Sequence, residues 1–123
     1  MMKIRALGRL GASLAVAALL AACTLPGSPQ EAVLASTATY NGAGKVALVY
    51  LGLPHCAGGG PKVCSDPGVV EAIKSADNAA YATLVSAEKV VRTPGFGDSA
   101  IQSAIAAARG AVDAFVAVTN AVK

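Results

Sequence analysis

The sequence predicts an all-α domain, a small antiparallel bundle of about three helices with one disulfide-closed loop. Three observations carry this expectation. Apolar or small residues recur at spacings of three and four along three stretches, the period of one face of an α-helix. Helix-starting residues open the stretches, and proline or glycine punctuates the junctions. The junctions are short, so consecutive helices should run antiparallel.

The first stretch begins at Ser28-Pro29-Gln30-Glu31, which fits a capping box with proline at the first helical position. The Ser28 hydroxyl would accept from a free amide, and Glu31 would reach back to the Ser28 amide. Val33, Thr37, Tyr40, Gly44, Ala47 and Leu51 then share a face. Gly52 at C′, followed by Leu53 and Pro54, makes a stop. Asn41-Gly42-Ala43-Gly44 disputes this helix. Each glycine costs ~1 kcal/mol relative to alanine, Asn-Gly is a strong hairpin turn, and Lys45 to Leu51 reads as a possible strand. The cap, the alanines and the stop favour a helix. For residues 29–52 one helix, a kinked helix and a hairpin all stay open.

Asp66-Pro67 reads as the N-cap and first position of a second helix. Its face is Val70, Ile73, Asp77, Ala80, Leu84, Ala87 and Val91, with Asp77 the one polar interruption. Pro94 should end it near Arg92, and Thr93 to Gly97 should turn tightly. Asp98 or Ser99 caps the third helix, with Ser99 and Gln102 as a second capping box. Ile101, Ile105, Ala108, Val112, Phe115, Thr119 and Val122 mark its face. Alanine-rich seams let helices approach closely and predict a cavity-poor core. A coiled coil between chains fits less well, because the seam positions are small and the stretches brief.

The amino terminus is of another kind. Lys3, Arg5 and Arg9 form a positive head, and Leu10 to Ala22 is an uncharged, mostly apolar run of 13 residues. As a helix that run covers about 20 Å against a ~30 Å hydrocarbon core, so it is a poor permanent span. A basic head before a short apolar run is the pattern of an export signal. The run ends in Leu20-Ala21-Ala22-Cys23, which resembles the lipobox of bacterial lipoproteins, a branched apolar residue and two small ones before a cysteine. That resemblance covers the first 23 residues. It implies diacylglycerol on the Cys23 thiol, cleavage just before Cys23, and a membrane as partner through the lipid. Two or three acyl chains hold a protein on a bilayer stably, where one does so marginally. Thr24, where an aspartate would favour inner-membrane retention by the same resemblance, points to the outer membrane, periplasmic side. The expected organisation is a signal peptide over 1–22, a lipidated tether over 23–27 and a bundle over 28–123. Five residues from Cys23 to Ser28 span at most about 17 Å, which would keep the bundle near the bilayer.

Cleavage before Cys23 changes the charge balance. It removes Lys3, Arg5 and Arg9 and leaves 101 residues with seven basic and seven acidic side chains. A neutral chain has no electrostatic footprint for nucleic acid. With no Trp, two Phe and three Tyr, its core must be thin. Cys56 and Cys64 bound the turn-rich loop CAGGGPKVC and enter an oxidising compartment if exported, so a disulfide is expected there. Such a bridge contributes ~2–3 kcal/mol by chain entropy.

No constellation predicts catalysis, a metal or a cofactor. Gly42-Ala43-Gly44-Lys45-Val46 misses a phosphate loop, with Thr39 where a glycine is needed and Val46 after the lysine. His55, Cys56, Cys64 and Asp66 match no standard zinc spacing, and a disulfide would consume both thiolates. His55 is the only histidine, and no nucleophile-elbow motif surrounds a serine. Glu71, Asp77 and Glu88 lie near Lys74 and Lys89 and read as solvated helix charges. Tyr40, Tyr50 and Tyr81 read as core or boundary filling. The loop from Pro54 to Pro67 is the better candidate for touching a partner.

In layout the chain resembles small alanine-rich lipoproteins of proteobacteria and their phages. The expectation is a structural or interaction role in the cell envelope, with an envelope protein as partner. The alternatives are a phage-type lysis or exclusion lipoprotein, recognisable by a neighbouring lysis gene, and a small-ligand-binding or enzymatic accessory. The last would need a cavity with convergent polar groups.

Overall fold

The computed structural model describes residues 27–60 and 62–123. Leu20, Ala21, Ala22, Cys23 and the tether to Pro26 lie outside the described residues. Three helices follow one another: α1, Pro29–Leu51; α2, Pro67–Arg92; and α3, Asp98–Asn120. They pack as an antiparallel bundle, and no strand occurs among the described residues.

Residues 29–51 form one uninterrupted helix, so the hairpin alternative is not adopted. Neither Gly42 nor Gly44 has an atom within 4 Å of where a Cβ would stand, so neither is required by a close approach. At the start of α1 the Ser28 hydroxyl accepts from the Glu31 amide at 3.2 Å. The return contact differs from the expected box. Glu31 Oε2 accepts from the Gly27 amide at 2.8 Å, one residue earlier than Ser28. The stop also differs, since Gly52 is right-handed with φ −79° and the turn closes through the Leu53 amide to the Tyr50 carbonyl at 3.1 Å.

Asp66 caps α2 as expected, its Oδ1 accepting from Gly68 at 2.8 Å and Val69 at 3.2 Å. The turn after Arg92 uses Gly95 at φ +96°, a left-handed conformation that glycine adopts freely. α3 departs from expectation at its start. Gly97 occupies the N-cap without a side-chain bond, and Asp98 is already helical, so neither Asp98 nor Ser99 caps it. A carboxylate at that first position still faces the free amides of the helix start favourably.

Three contacts fix α1 against α2. Gln30 Nε2 donates to the Val91 carbonyl at 3.4 Å, the Tyr40 hydroxyl donates to Asp77 Oδ1 at 2.7 Å, and the Asp66 amide donates to the Tyr50 hydroxyl at 2.8 Å. As the α1 number rises the partner's number falls, which is antiparallel register. The core is unevenly supplied. Ile73 and Leu84 from α2, and Ile105, Val112 and Phe115 from α3, are its large side chains, whereas α1 buries Ala32, Val33, Ser36, Ala43 and Ala47. The buried stripe of α1 is thus rotated from the expected one, with Thr37, Tyr40, Gly44 and Leu51 at its half-buried edge. Small residues let α1 lie close, but they bury little area each. The faces expected for α2 and α3 are the observed ones.

The connection between α1 and α2 is tied several times. Cys56 and Cys64 are disulfide-bonded, with sulfurs 2.06 Å apart. The Cys56 amide donates to the Ser65 carbonyl at 2.9 Å, and the Ser65 amide to the Pro54 carbonyl at 2.8 Å. Ser65 is fully buried, and its hydroxyl donates to the Leu53 carbonyl at 3.2 Å.

Two outcomes test this fold. Gly42→Ala should stabilise by ~1 kcal/mol, since the helix gains propensity and meets no clash, and thermal unfolding followed by circular dichroism should show Tm rising by roughly 4–8 °C. Replacing Cys56 and Cys64 together by serine should cost ~2–3 kcal/mol in a denaturant titration, with the helical signal retained at low temperature.

Candidate functional site

The largest recess among the described pockets opens beside the middle and C-terminal part of α1. Its volume is about 650 Å³, within the size range of small-molecule sites. It is a recess at the bundle surface, open to solvent on one side, rather than a cavity within the core. The physical reason is the size mismatch along the bundle. Gly44 and Ala47 of α1 stand opposite Ile73 of α2 and Phe115 of α3, and they are too small to fill the gap. Leu48 lines the recess but is 71% exposed, so it borders the gap without filling it.

One end of the recess is built by Tyr40, Asp77 and Phe115. The Tyr40 ring lies 5.4 Å from the Phe115 ring, tilted by 40°, within the usual range for aromatic pairs. Its hydroxyl reaches Asp77 Oδ1 at 2.7 Å, a short bond of the kind made to an ionised acceptor. Burial first, then the bond to Asp77 and its charge, push the Tyr40 phenol up to about 12. The tyrosine therefore stays protonated and holds the carboxylate as a donor. Asp77, the polar break in the α2 face, is thus half-buried against a specific partner rather than a freely solvated helix charge.

Apolar wall and charged edge meet along the rest of the recess. Leu48 and Leu51 supply an accessible apolar flank over a floor of buried Ala47, Ile73 and Phe115, and Lys45 and Lys74 line the edge. Lys74 is 3.7 Å from Glu71 in an exposed pair, which is worth little in water. Lys45 makes no ion pair among the described residues.

The other residues singled out in the sequence are dispersed. Glu88 pairs with Arg92 at 2.6 Å on the outside of α2, far in sequence from the recess residues of that helix. Tyr81 is exposed, and Tyr50 ties α1 to Asp66. Gly42 to Val46 lies inside α1, where the backbone amides belong to a helix interior and cannot form a phosphate-cradling loop. His55 is exposed in the disulfide loop, and among the described residues no three His, Cys, Asp or Glu gather as a metal site. The bond between Cys56 and Cys64 closes that loop, and Val63, next to Cys64 at its base, is exposed.

Comparison of this chain with protein families, curated proteins and solved structures finds no match in any of the three. The recess was missed in the sequence because two small residues on a helix face look like close packing. The usable signal was Asp77 within an apolar stripe, facing a helix that carries a tyrosine at mid-length.

The Tyr40 phenol gives a pH signature. Because its folded-state pKa lies above the ordinary phenol value of 10.0, the native state holds this proton more tightly than the unfolded chain does. Its contribution is complete below pH 10 and is lost as pH rises toward about 12. Denaturant titrations across that window should show stability falling, and Tyr40→Phe should remove that component of the fall.

Proposed function

We propose that this chain is a lipid-anchored protein of a bacterial envelope, facing the periplasm, whose folded part works by contact rather than by catalysis. The observation that carries the reading is Leu20-Ala21-Ala22-Cys23 at the end of a short apolar run behind a basic head. The neutral balance of the chain after Cys23 and the bonded Cys56–Cys64 pair support it, since disulfides persist in oxidising compartments. Exposed Leu34, Leu48 and Val49 on α1, with Tyr81 and Val85 on α2, supply apolar surface for a protein partner in the same envelope. The outer membrane is the better address, on Thr24 after the cysteine.

A second reading, small-ligand binding, is favoured by the recess between the helices. It has the feature that such a role requires, a concave apolar wall with a few polar groups at its edge.

Acylation tests the main reading. Expression with radiolabelled palmitate should label the chain in the membrane fraction, and mass spectrometry should find a mature amino terminus at Cys23 carrying diacylglycerol. Cys23→Ser should abolish the label and leave residues 1–22 attached. An unlabelled, soluble product from the wild-type sequence would refute the anchor.

A further inference from the structure

The geometry points to a specific class of ligand for the recess on α1: an amphiphile with one alkyl tail and an anionic head, carboxylate or phosphate. The inference deepens the ligand-binding reading above. It does not depend on the lipid anchor, which bears only on whether the bilayer is the ligand's source.

Shape and charge argue for it together. The recess has about 650 Å³ of space, with an accessible apolar flank from Leu48 and Leu51 over a floor of buried Ala47, Ile73 and Phe115. A polar ligand would leave the Leu48 and Leu51 flank wet, whereas an alkyl tail covers it and gains with every methylene. Charge selects the head. Two ammonium groups, Lys45 and Lys74, line the recess against a single carboxylate, Asp77. The Asp77 carboxylate is already engaged by the Tyr40 hydroxyl at 2.7 Å, so part of its capacity to attract a cation is taken. Lys74 has only an exposed partner at 3.7 Å, and Lys45 has none among the described residues. A ligand anion would find two donors on long stems, with apolar surface beside them. Lysine stems suit this arrangement, because their methylenes extend the flank while the ammonium stays at its rim.

Gly44 gives the recess a second property. A Cβ at this position meets nothing within 4 Å, so a side chain there would enter open space at the recess without disturbing the helix. Occupation can thus be blocked without removing a core residue.

The test uses the mature protein in phosphatidylcholine nanodiscs with methyl-labelled isoleucine. Ile73 lines the recess and Ile101 does not, so the second methyl reports nonspecific partition into the bilayer. Octanoate, decanoate, decyl phosphate, decanol and decyltrimethylammonium are titrated in turn. The inference predicts a saturable shift of Ile73 and not of Ile101 with the anions, Kd falling roughly fourfold per added methylene between octanoate and decanoate. The tighter of decanoate and decyl phosphate then identifies the head. Exchanging both lysines, Lys45→Glu with Lys74→Glu, should weaken binding at least about tenfold. Gly44→Leu should abolish it with unfolding stability maintained. An Ile73 methyl unmoved by every anion, a cation or alcohol bound as tightly as decanoate, or equal shifts of Ile73 and Ile101 would overturn the inference. Mass spectrometry of the same sample reads acylation at Cys23 separately, so loss of the anchor and loss of the ligand are distinguishable.

Discussion

The placement of α1 on the α2–α3 pair depends on the hydrogen bond from the Tyr40 hydroxyl to Asp77 Oδ1, 2.7 Å long and midway along the helix. α1 brings little apolar bulk to the core, since four of its five buried residues are alanine or serine. Area burial alone would hold such a helix weakly and leave its rotation poorly specified. The mid-helix bond supplies direction that hydrophobic contact lacks. Gln30 with Val91 and Tyr50 with Asp66 then secure the two ends in the same register. The disulfide and the buried Ser65 fix the short path between α1 and α2, so register and connection agree.

The same choice of small residues has two opposite effects along α1. Near its start Ala32, Val33 and Ser36 allow close approach and are buried. Further on, Gly44 and Ala47 face Ile73 and Phe115 and leave a recess instead of a seam. Tyr40 stands at the change between the two regimes, its ring tilted against Phe115 and its hydroxyl bonded to Asp77. Stability and the candidate site are therefore linked through one side chain. Because a tyrosine spans the gap with an apolar ring and ends in a donor, it can close one end of the recess and satisfy a half-buried carboxylate together.

Much of the architecture was legible in the sequence, for reasons that can be named. The faces of α2 and α3 were readable because large side chains at three and four spacing, Ile73, Leu84, Ile105, Val112 and Phe115, define a stripe without ambiguity. Asp66-Pro67 marked a helix start because proline lacks only an amide that the first turn does not use. α1 was harder to read. Its glycines lowered helix propensity and its small residues gave no sharp stripe, so tertiary contact with α2 and α3 decides both its continuity and its rotation. Ser28 caps α1 as expected, but the return contact of Glu31 reaches Gly27 and the cap of α3 falls one residue early at Gly97. The reason is that side-chain reach and backbone conformation vary at helix ends. The recess left one trace in the sequence, Asp77 within the apolar stripe of α2, but its shape was not legible. Whether two small residues make a seam or a hole depends on what stands across from them, which spacing within one chain segment does not state. The proposed membrane address rests chiefly on Leu20 to Cys23 behind the basic head, a local signal that owes nothing to the packing of the bundle.

A double-mutant cycle on Tyr40→Phe and Asp77→Asn, measured by chemical denaturation at neutral pH, tests the central claim most directly. If the bond sets the position of α1, the two substitutions must be coupled by at least about 1 kcal/mol, as expected for a bond to an ionised group at a half-buried site. Costs that add to within ~0.5 kcal/mol would contradict it, because α1 would then be held without that contact.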